Sequence, residues 1–316
     1  MNRHSLSTSN SKKNIAFIVK LLIFCTLITA YIFLILPQYA GTYNASIVDK
    51  ARRLRSIKEP KIVLIGNSNL SFGMDSELLE KEVGMPVVNM GLNAEIGNYF
   101  HEEMCKMNIV PGDIYVICHN DYDDDEKLHD PIAAWATVED HVSLWGLIGW
   151  RNIPKMAETF PIYLKRCLAL HASGEGNRFY NSVYSRDSVS ERGDIVRYRG
   201  ECEYPFTDLI APGKISDESV ERINELNRYL TERGATLVVA GFPIGNGINT
   251  VDGWEYEEFQ KQLEEKLDCP VISNFTDYMF GYDCFYDSDV HLNSEGAKLR
   301  TEQLAKDLKS FLSKEN

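Results

Sequence analysis

The sequence has no excess of positive charge: 33 Lys and Arg residues stand against 46 Asp and Glu residues, for a net charge of −13. A protein that binds nucleic acid needs clustered Lys and Arg to neutralise phosphates. No basic stripe with interleaved aromatic residues is found along the chain. We therefore expect no nucleic-acid partner.

Spacings typical of metal and cofactor sites are also missing. The seven cysteines form no zinc-type C-x-x-C pair. The acidic run at residues 121–126 lacks the glycine and the spacing of a calcium loop, so a solvated acidic loop is the simpler interpretation and a hard-cation site the alternative. We expect neither a cofactor nor a metal. In an oxidising compartment, Cys167 and Cys202 would be one disulfide pairing to consider.

One long apolar run stands near the N-terminus, at residues 15–36. Its span of about 22 residues matches the ~20 that a helix needs to cross a bilayer. Arg3, Lys12 and Lys13 precede the run, whereas residues 37–49 contain no Lys or Arg. We predict a cytoplasmic tail over residues 1–14, a transmembrane anchor over 15–36 and an extracytoplasmic body.

Two alternatives to this topology stay open. A basic cluster slightly farther along the chain would suit a cytoplasm-facing domain, or contact with anionic headgroups. It consists of Lys50, Arg52, Arg53, Arg55, Lys58 and Lys61. A cleaved signal peptide is the second alternative, but the apolar run exceeds the ~7–15 residues usual for such a peptide and no clear Ala-x-Ala site follows it.

After a linker over residues 37–59, short apolar runs alternate with amphipathic ones. The apolar runs predict strands at 62–65, 86–89, 114–118, 236–240 and 271–272. The intervening patterns predict helices at 75–83, 95–108, 216–233, 253–267 and 293–312. This alternation predicts one domain over 60–316 with a three-layer α/β/α, doubly wound, flavodoxin-like fold and a parallel sheet of five strands.

An insertion at about residues 121–215 separates the third and fourth predicted strands. A structureless loop of that length is improbable inside a compact domain. We predict helix within 141–170, on either side of Pro154 and Pro161, followed by a polar, irregular flap at 173–212. The flap is the candidate surface for substrate selection, and a plain spacer is the alternative.

The first predicted strand, 62–65, is followed directly by Gly66, Asn67 and Ser68. Ligands of open α/β sheets bind at the carboxyl ends of the strands, so Ser68 is placed where chemistry is usually done. Serine is a poor nucleophile without a nearby base. His291 is the candidate base, because it directly precedes a predicted helix and should lie on a loop at the sheet edge. The alternative is an ordinary strand-to-helix loop with Ser68 as the helix N-cap.

Together the stretches around Ser68 and His291 resemble the first and last sequence blocks of the SGNH/GDSL hydrolase superfamily. The resemblance is greatest to membrane-anchored members related to the D-alanyl transfer protein DltD. It implies a catalytic pair of Ser68 and His291, with an oxyanion hole formed by the Ser68 amide, the Gly91 amide and the Asn120 side chain. In the superfamily a glycine commonly stands two residues before the asparagine, and this chain has Cys118 there. Either Asn120 or Asp121 could therefore occupy the position of that asparagine.

The orienting carboxylate is a second departure from the superfamily pattern. The usual spacing places an aspartate three residues before the histidine, and this chain has Ser288 there. Asp289 would reach His291 from the same side of an extended segment, whereas Asp287 would reach it only through a helical turn. The pattern of the anchored relatives favours Asp287.

The resemblance implies a membrane-anchored, extracytoplasmic serine esterase or O-acyltransferase. Its substrate would be acyl groups, foremost acetyl, on a cell-surface polysaccharide or teichoic-acid-like polymer, and a multi-pass membrane acyltransferase is one candidate partner. The alternative is a catalytically inactive SGNH-like domain that binds a glycan or assists assembly of such an acyltransferase. An inactive binder has no need for Ser68 and His291 together, which favours the enzyme.

Overall fold

The centre of the protein is a parallel β-sheet, seen in a computed structural model that describes residues 8–123, 128–139, 141–176, 181–202 and 208–315. Its strands are β1 (Ile62–Ile65), β2 (Val87–Asn89), β3 (Ile114–Ile117) and β4 (Thr236–Val239). Their order is β2-β1-β3-β4. Every residue of β1 and β3 is buried, as expected for strands that are covered on both faces.

The sheet is flanked on both sides by helices. Their bounds are α2 (Ile47–Ser56), α3 (Ser68–Phe72), α4 (Ser76–Val83), α5 (Asn98–Cys105), α6 (Pro131–Val138), α7 (Ile153–Ser173), α8 (Asp217–Thr231), α9 (Gly253–Lys266) and α10 (Ser294–Glu315). Val63 and Ile65 of β1 face a core shared with α2, α5 and α8, whereas Ile62 and Leu64 face a core shared with α4 and α10. Alternation of side chains along each strand thus produces the two apolar layers.

The register of the sheet aligns the carboxyl ends of three strands. Leu64 lies opposite Asn89 of β2 and Val116 of β3. The segments that follow these strands, including Ser68 and Asn120, therefore leave the sheet at the same edge. This edge is where the predicted site residues were expected.

The predicted five-stranded, flavodoxin-like arrangement is not confirmed. Residues 271–272 form no strand, and Val271 makes only an isolated parallel bridge with Val239. This apolar segment lies between Pro270 and Ser273, so it is too short for a continuous ladder. Two small sheets were not predicted: β5 (Ile244–Asn246) pairs with β6 (Met279–Gly281), and β7 (Phe285–Ser288) pairs with β8 (His291–Leu292).

A long apolar helix, α1 (Thr8–Ile35), precedes the sheet domain. Its segment Lys12–Ile35 is long enough to cross a membrane, and the most apolar 18-residue window of that segment has a mean hydropathy of 2.5 and is only 6% buried by protein. These properties are shared by membrane anchors and by signal sequences.

The segment predicted as a linker, residues 37–59, is part of the folded domain. It contains α2, whose Ile47 and Leu54 are fully buried. Two members of the basic cluster are buried as well: Lys61 pairs with Asp113 at 2.7 Å, and Lys50 is 1% exposed. These two lysines are therefore unavailable to lipid headgroups.

The insertion is more ordered than the sequence suggests. Helix α7 runs without interruption through Pro161. Residues 181–202 have little regular structure, yet Asp194, Ile195 and Arg199 are buried, so this part of the predicted flap packs against the domain. Within the described residues, Cys167 and Cys202 are not joined by the disulfide suggested above. Residues 124–126 of the acidic run lie outside the described residues.

Candidate active site

Ser68 is the first residue of α3, at the carboxyl edge of the sheet. The N-cap of this helix is Asn67, whose Oδ1 accepts a hydrogen bond from the Asn69 amide at 3.0 Å. Ser68 is therefore not the capping residue, and its hydroxyl is available for another role. Ser68 is only partly buried.

A hydrogen-bonded chain of three side chains starts at Ser68. Its Oγ lies 2.8 Å from Nε2 of His291, and Nδ1 of His291 lies 2.8 Å from Oδ1 of Asp287. Asp287 is in β7 and His291 in β8, and the tight turn between these strands brings the two side chains together. Such an arrangement of nucleophile, base and carboxylate activates serine for acyl transfer.

The charge on Asp287 suits the role of orienting His291. Burial alone would raise the pKa of Asp287, but hydrogen bonds from His291 and Tyr184 outweigh burial and lower this pKa below its usual value. The ionised carboxylate accepts a hydrogen bond from Nδ1–H of His291, and in this tautomer the lone pair of Nε2 faces the Ser68 hydroxyl.

Asp289 does not share this position. Within the described residues no hydrogen bond joins Asp289 to His291. Burial raises the pKa of Asp289, and the neighbouring Asp208 adds to that effect. Of the two carboxylates left open by the sequence, the structure places Asp287 beside the imidazole.

Tyr184, which sequence reasoning missed, completes the surroundings of the carboxylate. Its hydroxyl donates to Oδ2 of Asp287 at 2.5 Å and lies 3.3 Å from Nδ1 of His291. Burial, together with this hydrogen bond, raises the pKa of Tyr184. No local signal marks Tyr184 in the sequence, since it is one of 16 tyrosines and stands in the polar segment predicted as a flap.

Two side chains fix the plane and the position of the base. The ring of Phe72 stacks on the imidazole of His291, with centroids 4.1 Å apart and planes 11° from parallel. Arg199 donates to the Phe72 carbonyl at 2.8 Å and to the Leu292 carbonyl at 3.1 Å. Burial lowers the pKa of Arg199 to about 10, so it remains a cation at neutral pH. Arg199 thereby ties the helix of the nucleophile to the strand of the base.

The three predicted oxyanion donors differ in whether they already donate a hydrogen bond within the protein. Asn120 Oδ1 accepts a hydrogen bond from Asn67 Nδ2 at 2.6 Å, and this contact orients the Asn120 side-chain amide. Within the described residues, neither Asn120 Nδ2 nor the Ser68 backbone amide has an acceptor. The Gly91 amide donates to Asn89 Oδ1 at 2.9 Å and is therefore engaged. Asp121, the alternative to Asn120, accepts from the Asp123 amide in its own loop.

The backbone at Gly91 has no room for a side chain. A Cβ there would lie 2.7 Å from the Ser71 amide and 2.9 Å from the Asn67 carbonyl oxygen. Beneath this loop Lys50 donates to the Gly193 carbonyl at 2.5 Å and to the Asn89 carbonyl at 3.1 Å. Burial lowers the pKa of Lys50 to about 7. Lys50 thereby joins the end of β2 to the segment at Gly193.

Among the residues that the structure describes, no group of three or more His, Cys, Asp or Glu is placed to hold a metal ion. Comparisons of the chain with protein-family models, curated proteins and solved structures found no match. The function is therefore inferred from the chemistry of the site.

Proposed function

We propose that this protein is a serine esterase or O-acyltransferase of the SGNH/GDSL type. The observation that carries the proposal is the hydrogen-bonded chain Ser68–His291–Asp287, with both contacts at 2.8 Å. A serine hydroxyl that faces an imidazole, itself oriented by an ionised carboxylate, is the arrangement that acyl transfer requires.

In the proposed mechanism Nε2 of His291 takes the hydroxyl proton of Ser68 as Oγ attacks the ester carbonyl carbon. The negative charge that develops on the carbonyl oxygen is stabilised by the Ser68 amide and by Nδ2 of Asn120. Collapse of this intermediate expels the alcohol, which receives the proton from His291. Water or an acceptor hydroxyl then loses a proton to His291, attacks the acyl-enzyme and releases Ser68.

An open site supports a polymeric substrate. The side chains of Asp287 and His291 are 33% and 12% exposed, and Tyr184 beside them is 43% exposed. The catalytic group is thus reached from the surface, which suits a chain that lies across it. The resemblance to anchored relatives supports O-acyl groups, foremost acetyl, on a cell-surface polysaccharide or teichoic-acid-like polymer.

We further propose that α1 is a single-pass membrane anchor with the sheet domain on the extracytoplasmic side. The length and hydropathy of Lys12–Ile35 support the span, and the basic residues that precede it support the orientation. A multi-pass membrane acyltransferase that delivers the acyl group would fit this location.

A catalytically inactive SGNH-like binder or assembly factor is the second candidate. One observation favours it: the Gly91 amide, an expected oxyanion donor, is engaged by Asn89 Oδ1 at 2.9 Å. In an active enzyme either this hydrogen bond breaks when substrate binds or the remaining two donors suffice.

Hydrolysis of a small aryl acetate by the full-length protein in detergent separates the two candidates. Activity in the wild type, lost in Ser68→Ala and kept in Ser313→Ala, would support the enzyme, because Ser313 is an exposed serine on α10. Absence of turnover in a folded wild-type protein, or equal turnover in Ser68→Ala, would contradict it.

A further inference from the structure

An apolar cavity of about 670 Å³ lies in the insertion, between α6 and α7. Its walls include Trp135, Trp145, Ile148, Ile153, Met156 and Phe160, and among the described residues no ionisable side chain lines it. The volume falls within the ~300–1,000 Å³ typical of ligand sites. None of the lining residues belongs to the candidate triad.

The cavity wall is continuous with the end of α1. Phe33, in the last turn of α1, stacks on Trp145 with centroids 6.1 Å apart, and Trp145 meets Trp135 edge-on at 5.5 Å. Helix α7 also holds the chain just after α1, since the Tyr163 hydroxyl donates to the Leu36 carbonyl at 3.5 Å. The cavity is therefore positioned beside the point where the apolar helix enters the domain.

Three apolar side chains in the segments that form the cavity are exposed to solvent. Trp150 is 76% exposed, Ile153 61% and Val142 55%. Apolar groups exposed together mark interaction surfaces. The exposed side of α7 also carries Lys165 and Arg166, in a protein with a net charge of −13. Tryptophan and cationic side chains are the residues that occupy the membrane–water interface.

We propose that this cavity binds an acyl chain of a membrane phospholipid, from the leaflet at the C-terminal end of α1. A sugar or a headgroup would lose hydrogen bonds in an apolar cavity, whereas a hydrocarbon chain loses none. Exposed Trp150 and Ile153 would rest in the same leaflet and hold α7 against the bilayer. The inference rests on the membrane span proposed above and is independent of the esterase chemistry.

The test uses the full-length protein in phosphatidylcholine nanodiscs that contain a phospholipid with a photoactivatable diazirine on its acyl chain. After irradiation, labelled peptides are mapped by mass spectrometry. We expect label in residues 15–35 and in residues 145–160. Label in 15–35 without label in 145–160 would overturn the cavity while leaving the span intact, and absence of both would overturn the cavity together with the span.

A variant that fills the cavity distinguishes entry of a chain from contact with the surface. Gly146 lines the cavity and has open space around its Cα, so Gly146→Leu can be accommodated. We expect label on the cavity-lining Met156 and Phe160 to fall about tenfold, a difference of about 1.4 kcal/mol in binding, with label on the exposed Trp150 and in 15–35 unchanged. Gly200→Leu, the same change away from the cavity, should keep both. If Gly146→Leu fails to fold, Ala157→Trp replaces it, and undiminished label in a folded cavity-filling variant would overturn the proposal.

Discussion

Oδ1 of Asp287 lies 2.8 Å from Nδ1 of His291, although the two residues are four positions apart along the chain. The antiparallel pairing of β7 with β8 carries a register irregularity between Phe285 and Ser288, and His291 lies opposite Ser288 in this pairing. The turn thereby brings Asp287 to the imidazole without a helical segment. The spacing of the two residues along the sequence does not by itself predict this contact.

The first prediction concerns this carboxylate. Asp287→Asn should lower kcat/KM by up to ~10⁴-fold, because an amide in place of the carboxylate mis-sets the imidazole tautomer. Asp289→Asn is the matched control and should change kcat/KM little. Steady-state kinetics on an aryl acetate measures both. A large loss confined to Asp289→Asn would contradict the assignment of Asp287.

The same two variants should differ in how their stability depends on pH. The pKa of Asp287 is lowered in the folded protein, so its stabilising contribution is present above its ordinary pKa of 3.8 and is lost as the pH falls through the lower folded value. The pKa of Asp289 is raised by burial, so its ionised form costs stability at neutral pH. Urea unfolding at neutral pH should find Asp287→Asn less stable than the wild type and Asp289→Asn at least as stable. The opposite order would refute both assignments.

Tyr184 should act as a positioning residue for the carboxylate. A hydrogen bond to a charged group contributes a net ~1.5–3 kcal/mol, and Tyr184 is 43% exposed, which places its contribution at the low end of that range. About 1.4 kcal/mol of barrier corresponds to a tenfold change in rate. Tyr184→Phe should therefore lower kcat/KM about tenfold at neutral pH.

The pH profile separates positioning from a merely structural role. Without the Tyr184 donor, burial is less offset and the pKa of Asp287 rises, so the acid limb of kcat/KM should move to higher pH. Tyr198→Phe is the control, since Tyr198 is 81% exposed. A Tyr184→Phe variant with lower activity but an unmoved acid limb would leave Tyr184 a structural residue only.

Asn120 should be the donor to the oxyanion. Loss of one oxyanion-hole donor typically lowers kcat by ~10²–10³-fold, and we expect that loss for Asn120→Ala with KM nearly unchanged. Asp121→Ala should have a small effect, because its carboxylate accepts from the Asp123 amide in its own loop. Single-substrate kinetics on both variants decides between them, and a larger kcat loss in Asp121→Ala would reverse the assignment.

The central strands could be predicted because local composition determines them. Residues 62–65 and 114–117 are uninterrupted apolar runs, and strands β1 and β3 match the predicted ranges to within a residue. The fifth strand, predicted at 271–272, does not form, since Val271 has too few apolar neighbours to hold more than one bridge. Strands β5 to β8 carry little apolar alternation and depend on contacts with distant segments.

The residues of the candidate site also differ in whether the sequence predicts them. Ser68 follows a predicted strand and His291 precedes a predicted helix, so their place at the sheet edge could be inferred from the sequence. This held although the two residues are 223 positions apart. Tyr184 and Arg199 belong to an irregular segment whose path depends on long-range hydrogen bonds, and no periodic pattern marks them. Engagement of the Gly91 amide by Asn89 is likewise a property of the folded loop.

Trapping of the acyl-enzyme tests the central claim most directly. The full-length protein is incubated with an activated aryl acetate, quenched in acid and examined by intact mass and peptide mapping. The account predicts one acetyl group on the peptide that contains Ser68, absent from Ser68→Ala and retained in Ser313→Ala. Turnover without acetyl on Ser68, or the same adduct in Ser68→Ala, would contradict it.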